Sequence, residues 1–311
     1  GFAPDSWDRL LKLARKNGVP GKIMDKSGMF TRTEKGVFDR FRNRLMFPIH
    51  NPGGQVIAFG GRAMDEEDPA KYMNSPETIL YSKSRVFYGL NKTQKAIRKT
   101  GASILVEGYM DLIQLYQAGI TNVLAVAGTA FTENHVHQIR KLTRKIILMY
   151  DGDSAGRDAS VRAGYLLLRG GIEPLIVSVP DDLDPDDWVR QDGAEAINEK
   201  ITTAQPIITY HIELSGVHKM SPAERSRFIR GMITEVVGIQ DNILRNEIFR
   251  SISDEMQINE RDLLAVADKE HRRRRMRRTK SDVKSDKVLF ASQKEKAQLE
   301  LVKLLAGEDL T

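Results

Sequence analysis

From residue 102 onward, short apolar runs alternate with stretches of helical spacing: "ASILVE" (102–107), a helix near 109–118, "NVLAVA" (122–127), a helix near 132–142, "KIILMY" (145–150), a helix near 154–169, and "PLIVSV" (174–179). This βαβ rhythm predicts a parallel sheet covered by helices. The pattern before it is different. Residues 6–17 carry helical spacing, and "RLMFPIHNPGGQVIAFGGR" (44–62) reads as two strands joined by an Asn-Pro-Gly-Gly turn. After about 193 the strand signals stop, and 195–270 reads as several helices. "HRRRRMRR" (271–278) and the polar residues to 287 read first as a solvated linker, with a nucleic-acid contact of the arginine run as the second reading, and one amphipathic helix follows in "QKEKAQLELVKLLAG" (293–307). No internal repeat is visible. The expected fold class is α/β, with an α+β subdomain at 1–99, a parallel-sheet α/β subdomain at 100–194, a helical bundle at 195–270, a basic linker at 271–287 and the start of a further domain at 288–311.

Composition bounds this picture. A chain of 311 residues that is 41% hydrophobic buries a sizeable core and holds about two domains. Its longest apolar runs are strand-sized, far from the ~18 residues that a spanning helix needs, so no membrane is expected. The absence of cysteine excludes a disulfide framework, a thiolate zinc site and a cysteine nucleophile within this chain. No charged-then-apolar leader opens the chain, so a cytoplasmic location is expected, and "GFAPDSWDRL" reads as mid-protein sequence. The formal net charge of +6 is unevenly spread: residues 1–99 hold 19 basic and 10 acidic side chains, 100–198 hold 8 and 14, and 271–311 hold 12 and 6. A basic module beside an acidic one suits a polyanion-binding surface next to a cation site.

The acids are not scattered. In an open parallel sheet, ligands gather outside the carboxyl ends of the strands. Glu107 follows the first strand and Asp111 lies four residues on; "DGD" with Asp151 and Asp153 follows the third; "DLDPDD" with Asp184 and Asp186 follows the fourth after a short loop. Singly, Asp151, Asp153 and Asp184 also read as helix caps, and Asp111 as a first-turn acid favoured by the helix dipole. Together they place five or six carboxylates on one edge, where repulsion is relieved by cations. Hard oxygen donors without a compact histidine cluster favour Mg²⁺ or Mn²⁺ over Zn²⁺. Two such ions activate a hydroxyl and stabilise a leaving oxygen in phosphoryl transfer. His135 and His137, two apart, share no helical face.

"EGYMD", "DGDSAGRDA" and "DPDD", in this order and on these elements, resemble the acidic motifs of the TOPRIM fold found in bacterial primases, type IA and II topoisomerases and some nucleases. "FDRFRNRLMFPI", "GGR", "KYMNSPET", "YSKSRVFYGL" and "GTAFTENH" resemble the RNA polymerase core of bacterial replicative DNA primases, and the likeness covers roughly residues 1–270. The resemblance implies template-directed joining of ribonucleotides into short RNA primers on single-stranded DNA. Glu107 would bind metal or act in acid/base chemistry with Asp111 in support, and Asp151, Asp153, Asp184 and Asp186 would hold two or more Mg²⁺ or Mn²⁺ ions and, through them, ribonucleoside triphosphates. Lys71, Tyr72, Asn74 and Lys83 match positions near the incoming nucleotide. It also implies a replicative helicase as partner, through a C-terminal domain of which 288–311 would be the start, and inhibition by guanosine alarmones. The family's zinc-binding domain has no counterpart here, so no zinc is expected in this chain.

Arg40, Arg42 and Arg44 alternate in a stretch that reads as a strand, which would present all three on one face; with Arg62 they would line a groove for the template. Gly108 and Gly152 would allow close backbone approach, although turns alone also account for them. Tyr109 reads as a packing aromatic. The main rival is a TOPRIM-type metal-dependent nuclease. A topoisomerase would need a further domain with a nucleophilic tyrosine, and a non-enzymatic binding protein would leave the carboxylates without a purpose.

Overall fold

The computed structural model describes residues 1–126 and 128–273; the rest of the expected linker and the helix expected over 293–307 lie outside them. The chain divides into two units, Gly1–Gly216 and a second that begins at Val217.

The first unit opens with β1 (Phe2–Ala3), α1 (Arg9–Lys16), α2 (Gly21–Lys26), the hairpin β2 (Phe30–Thr33) and β3 (Gly36–Asp39), then β4 (Arg44–His50), β5 (Val56–Ala63) and β6 (Tyr72–Asn74). β1-β4-β5-β6 form an antiparallel sheet. The expected hairpin is β4–β5: Asn51 accepts from the Gln55 N–H at 3.0 Å, and Gly54 supplies the left-handed residue (φ 89°) that closes the turn. The strand expected through Arg40–Arg44 is not formed. Residues 40–43 are irregular because Asn43 turns the chain at φ 48°.

α3 (Leu90–Thr100) leads into β7 (Ala102–Val106), α4 (Tyr109–Gln117), β8 (Val123–Ala125), α5 (Glu133–Ile139), β9 (Lys145–Leu148), α6 (Ser154–Arg169), β10 (Glu173–Ile176), α7 (Pro185–Thr202), β11 (Gln205–Pro206) and α8 (Ile207–Ser215). The sheet order is β11-β10-β9-β7-β8, with β10, β9, β7 and β8 parallel and β11 antiparallel at the edge. One face of this sheet packs Ile104, Val106, Met149 and Val177 against Leu112 and Leu115 of α4 and Trp188 and Val189 of α7. Leu115 is wholly buried, so its truncation to Ala costs about 2–5 kcal/mol.

Two expectations are corrected here. The boundary expected at 195 meets a kink at Gly193 (φ 78°) inside α7, but not a change of unit. β11 and α8 still belong with the sheet, because Leu175 pairs with Pro206 and Ile207 of α8 is buried. Strand pairing therefore continues past 193, in a two-residue piece too short to leave a periodic signal. The second unit contains α9 (Pro222–Val236), capped by Ser221 and Glu224, and α10 (Asn242–Met256), capped by Asp241.

Candidate metal centre and nucleotide cleft

β7 and β9 are paired in register from Ala102↔Lys145 to Leu105↔Leu148, and the Met149 N–H continues the ladder to the Leu105 carbonyl at 2.9 Å. This places Glu107 beside Tyr150 and Asp151 where the two strands end. The chain then turns tightly. Gly152 lies so close to Pro180 that a Cβ would sit 1.9 Å from its carbonyl oxygen, so the glycine is required by approach of backbone to backbone. The Gly152 N–H donates to the Leu183 carbonyl at 2.9 Å, which draws the loop after β10 onto the end of β9. Arg157 ties the same corner by donating to the Gly152 carbonyl and pairing with Asp181 at 2.7 Å.

The capping roles are present alongside the clustering. Asp153 accepts from the Gly156 N–H at 2.7 Å at the start of α6, Asp184 accepts from the Asp187 N–H at 2.7 Å at the start of α7, and Asp111 accepts from the Gly108 N–H at 2.8 Å at the start of α4. Each cap engages part of a carboxylate and leaves acceptor capacity on the other oxygen. Asp184, Asp186 and Asp187 bring their carboxylates within 4.8 Å of one another. Asp187 was not among the expected ligands, although the tandem acids of "DPDD" carried the signal. Asp186 is buried and pairs with Arg190 at 2.6 Å.

Electrostatics join these groups into one site. Burial first, then repulsion from Asp151, pushes the Glu107 carboxyl up to about 7. Asp111 is pushed up to about 7 by burial; the Gly108 N–H opposes this, while Asp151, Asp184 and Asp186 add to it. Asp151 is pushed up to about 6 by burial and then by Asp184 and Asp153. Asp186 lies above the ordinary carboxylate range through burial, with Arg190 opposing. Glu107 Oε1 and Asp151 Oδ1 are buried and have no hydrogen-bond partner. A buried carboxylate oxygen without a donor is costly. Two of them, on adjacent strand ends amid further acids, fit the donor set of hard divalent cations. The hydroxyl of Tyr150 is likewise buried without a partner, beside Glu107.

The nucleotide-side residues divide. Asn74 and Tyr72 lie on β6, and the Tyr72 hydroxyl, raised chiefly by burial, also feels Asp111, Asp186 and Asp184. The Tyr109 hydroxyl donates to Asn74 Oδ1 at 2.8 Å, its ring stacks on Phe47 at 5.0 Å and meets Tyr88 edge-on at 4.6 Å. Gly60 cannot accept a Cβ, which would fall 2.6 Å from the Tyr109 ring. Lys71 is exposed beside Tyr72, and Lys83 lies in a 3₁₀ turn, its N–H donating to Glu77 at 2.7 Å.

The four arginines do not share one face. Arg40 donates to the Asn74 carbonyl at 3.1 and 3.3 Å, Arg42 lies 4.0 Å over the Trp7 ring, and Arg62 lies 5.9 Å from the Tyr72 ring. Arg44 is 3% exposed and bonded to Asp68 and the Ala70 carbonyl, which corrects its expected place on a groove surface. His135 is buried in a cap with Thr132, and burial pushes it down to about 4.

A basic antiparallel module joined to a parallel sheet with acids at its carboxyl edge defines a TOPRIM-type, divalent-metal protein: residues 104–189 match the family described as "Toprim-like". Residues 1–94 match the family "DNA primase catalytic core, N-terminal domain". The DNA primase of Halalkalibacterium halodurans is 34% identical over 301 residues, which cover 94% of this chain and 49% of that protein. The chain thus spans about half the length of the curated relatives it matches. Among solved structures, a DNA primase domain from Pseudomonas aeruginosa aligns with a TM-score of 0.77 at 34% identity over 86% of this chain and 85% of that one. A DnaG primase catalytic domain bound to ssDNA aligns with a TM-score of 0.73 at 33% identity over 84% of each. The chain belongs to the bacterial DNA primase family, and the part it carries is the catalytic core. Among the described residues, no helix is long and apolar enough to cross a membrane.

Proposed function

We propose that this chain is the RNA-polymerising core of a DNA primase, which makes short RNA primers on single-stranded DNA from ribonucleoside triphosphates in the cytoplasm. The observation that carries the reading is the pair of buried, partnerless carboxylate oxygens on Glu107 and Asp151 within a cluster of acids at one sheet edge. Glu107, Asp151, Asp153, Asp184 and Asp186 would hold Mg²⁺ or Mn²⁺. When bound, such ions activate the attacking 3′-hydroxyl and neutralise the departing pyrophosphate. Asp111 fixes the start of α4 through the Gly108 N–H and so orients the turn that carries Glu107. Tyr72 borders the acids from β6, where a triphosphate would lie, with the exposed Lys71 just before it in the chain, and Asn74 is held in place by Tyr109 and Arg40. Lys83 belongs to this set on the family resemblance. Arg40, Arg42 and Arg62 are proposed to meet the template phosphates, and Arg44 to support them from inside. Guanosine alarmones are proposed to compete for the triphosphate place, and a replicative helicase to engage through a region beyond the described residues.

Support over the nuclease alternative comes from residues 1–94, which match a primase-specific family. The test is incubation with single-stranded template, ribonucleotides and Mg²⁺, followed by gel analysis. Short RNA products are expected. Template cleavage without ribonucleotide incorporation would establish the nuclease instead.

A further inference from the structure

The basic charge of the first unit has a second concentration, apart from the arginines beside the cleft. Residues 90–101 hold four basic side chains and no acid, and residues 138–145 hold four more and no acid. The two segments adjoin: the Thr143 hydroxyl donates to the Gly101 carbonyl, and Ala102 pairs with Lys145. They lie where β7 and β9 begin, so they occupy the amino-terminal edge of the sheet, whose opposite edge carries the carboxylates. β7 is five residues long, and a strand of that length spans roughly 17 Å. Lys145 pairs with Glu173, while Arg98, Lys99, Lys141 and Arg144 are exposed and have no carboxylate partner among the described residues.

A groove of about 730 Å³ connects the two edges. α5 follows β8, so it starts at the carboxyl edge and runs back, and the groove follows it from Asn134 in its first turn to Lys141 just past its end. The opposite wall is α3, lined by Gln94 and Arg98, which runs the same way into β7. Arg85 lies between, no Asp or Glu lines the groove, and the rim carries Ile79 and Leu80 at 86% and 67% exposure. A concave, acid-free channel with basic side chains at intervals and exposed apolar surface at its lip suits an unpaired nucleic-acid strand, whose phosphates meet the cations while base faces lie on the apolar lip.

We propose that the groove between α3 and α5 binds single-stranded DNA outside the catalytic cleft, from the carboxylate edge to the basic amino edge, without reading sequence. The proposal rests on the primase reading for the identity of the polymer. Arg98→Glu/Lys141→Glu is the test variant; both side chains are exposed and outside the catalytic and nucleotide-binding machinery, and Arg98→Gln/Lys141→Gln serves as a neutral counterpart. Binding of a long and a short single-stranded oligonucleotide is followed by fluorescence anisotropy against salt. For the long oligonucleotide the slope of log affinity against log salt should fall by about 1.4, from roughly 0.7 per lost phosphate contact. The neutral pair should shift it in the same direction, while short-oligonucleotide binding and primer synthesis on a short template stay unchanged. An unchanged slope for the long oligonucleotide overturns the proposal. So does retained DNA affinity with lost binding of polyglutamate, which would mark a protein-binding face. A wild-type protein that makes no primers would instead defeat the primase reading and leave the slope comparison standing.

Discussion

Asp111→Asn is expected to stabilise the metal-free protein at alkaline pH. Asp111 is 6% exposed and accepts from the Gly108 N–H at 2.8 Å; an asparagine amide oxygen in the same rotamer keeps that bond and cannot ionise. In the unfolded chain the carboxyl titrates near 3.8, and in the folded protein near 7, because burial outweighs the Gly108 bond. A carboxyl raised on folding contributes stability that is fully present below pH 4 and is lost as pH rises through 7. At roughly 1.4 kcal/mol per unit, this shift corresponds to about 4 kcal/mol at pH 8. Part of that belongs to repulsion from Asp151, Asp184 and Asp186, which relaxes over the whole cluster, so on the order of 3 kcal/mol is expected for the single substitution. Urea unfolding in chelator at pH 4 and pH 8 reads it directly: wild type and variant should nearly coincide at pH 4 and separate at pH 8, with the variant more stable. Mg²⁺ should stabilise the wild type more at pH 8 than at pH 5, since the cation replaces the missing counter-charge. A variant no more stable than wild type at pH 8 would refute the burial of a charged Asp111.

Asp151→Asn or Asp153→Asn should nearly abolish primer synthesis while single-strand binding survives; wild-type primer yield would dismiss the metal assignment. Arg62→Ala should weaken single-strand binding and lower the salt slope by roughly 0.7, with little change in thermal unfolding, because the half-buried Arg62 makes only a distant contact with the Tyr72 ring, 5.9 Å to its centroid. Gly152→Ala should destabilise by about 3 kcal/mol through its contact with the Pro180 carbonyl, whose backbone has little room to move; an unaltered melting temperature would show that the turn yields. Tyr109→Phe should cost about 1–2 kcal/mol by removing the donor to Asn74 Oδ1 and should raise the KM for ribonucleotides more than it lowers kcat.

The sheet was legible because both of its periods are strong: "ASILV" and "KIIL" are apolar on both faces, and each is followed by a helix whose glycine or aspartate start is visible in the sequence. The acids were legible for the same reason, since strand ends of a parallel sheet converge by topology alone. Arg44 was misread because alternation with Phe41 and Leu45 imitates a strand, whereas the turn at Asn43 and the partner at Asp68 are set by tertiary contacts that no local pattern carries. β11 was missed because two residues have no period. The basic amino edge was hidden by a boundary at 99/100 that divided its charges between two averages, one of them dominated by the acids at the other end of the sheet.

Tyr109 sits between Glu107 and Asp111 in sequence, yet its ring is wedged beneath Gly60 and its hydroxyl is bonded to Asn74. Any motion that draws β5 and β6 away from α4 has to pull a 2%-exposed aromatic out of its socket and strip Asn74 of a donor. The jaws of the cleft therefore have no joint at this point. Opening them there would expose that ring and break the Asn74 bond, so the width of the cleft is a property of the core around Tyr109.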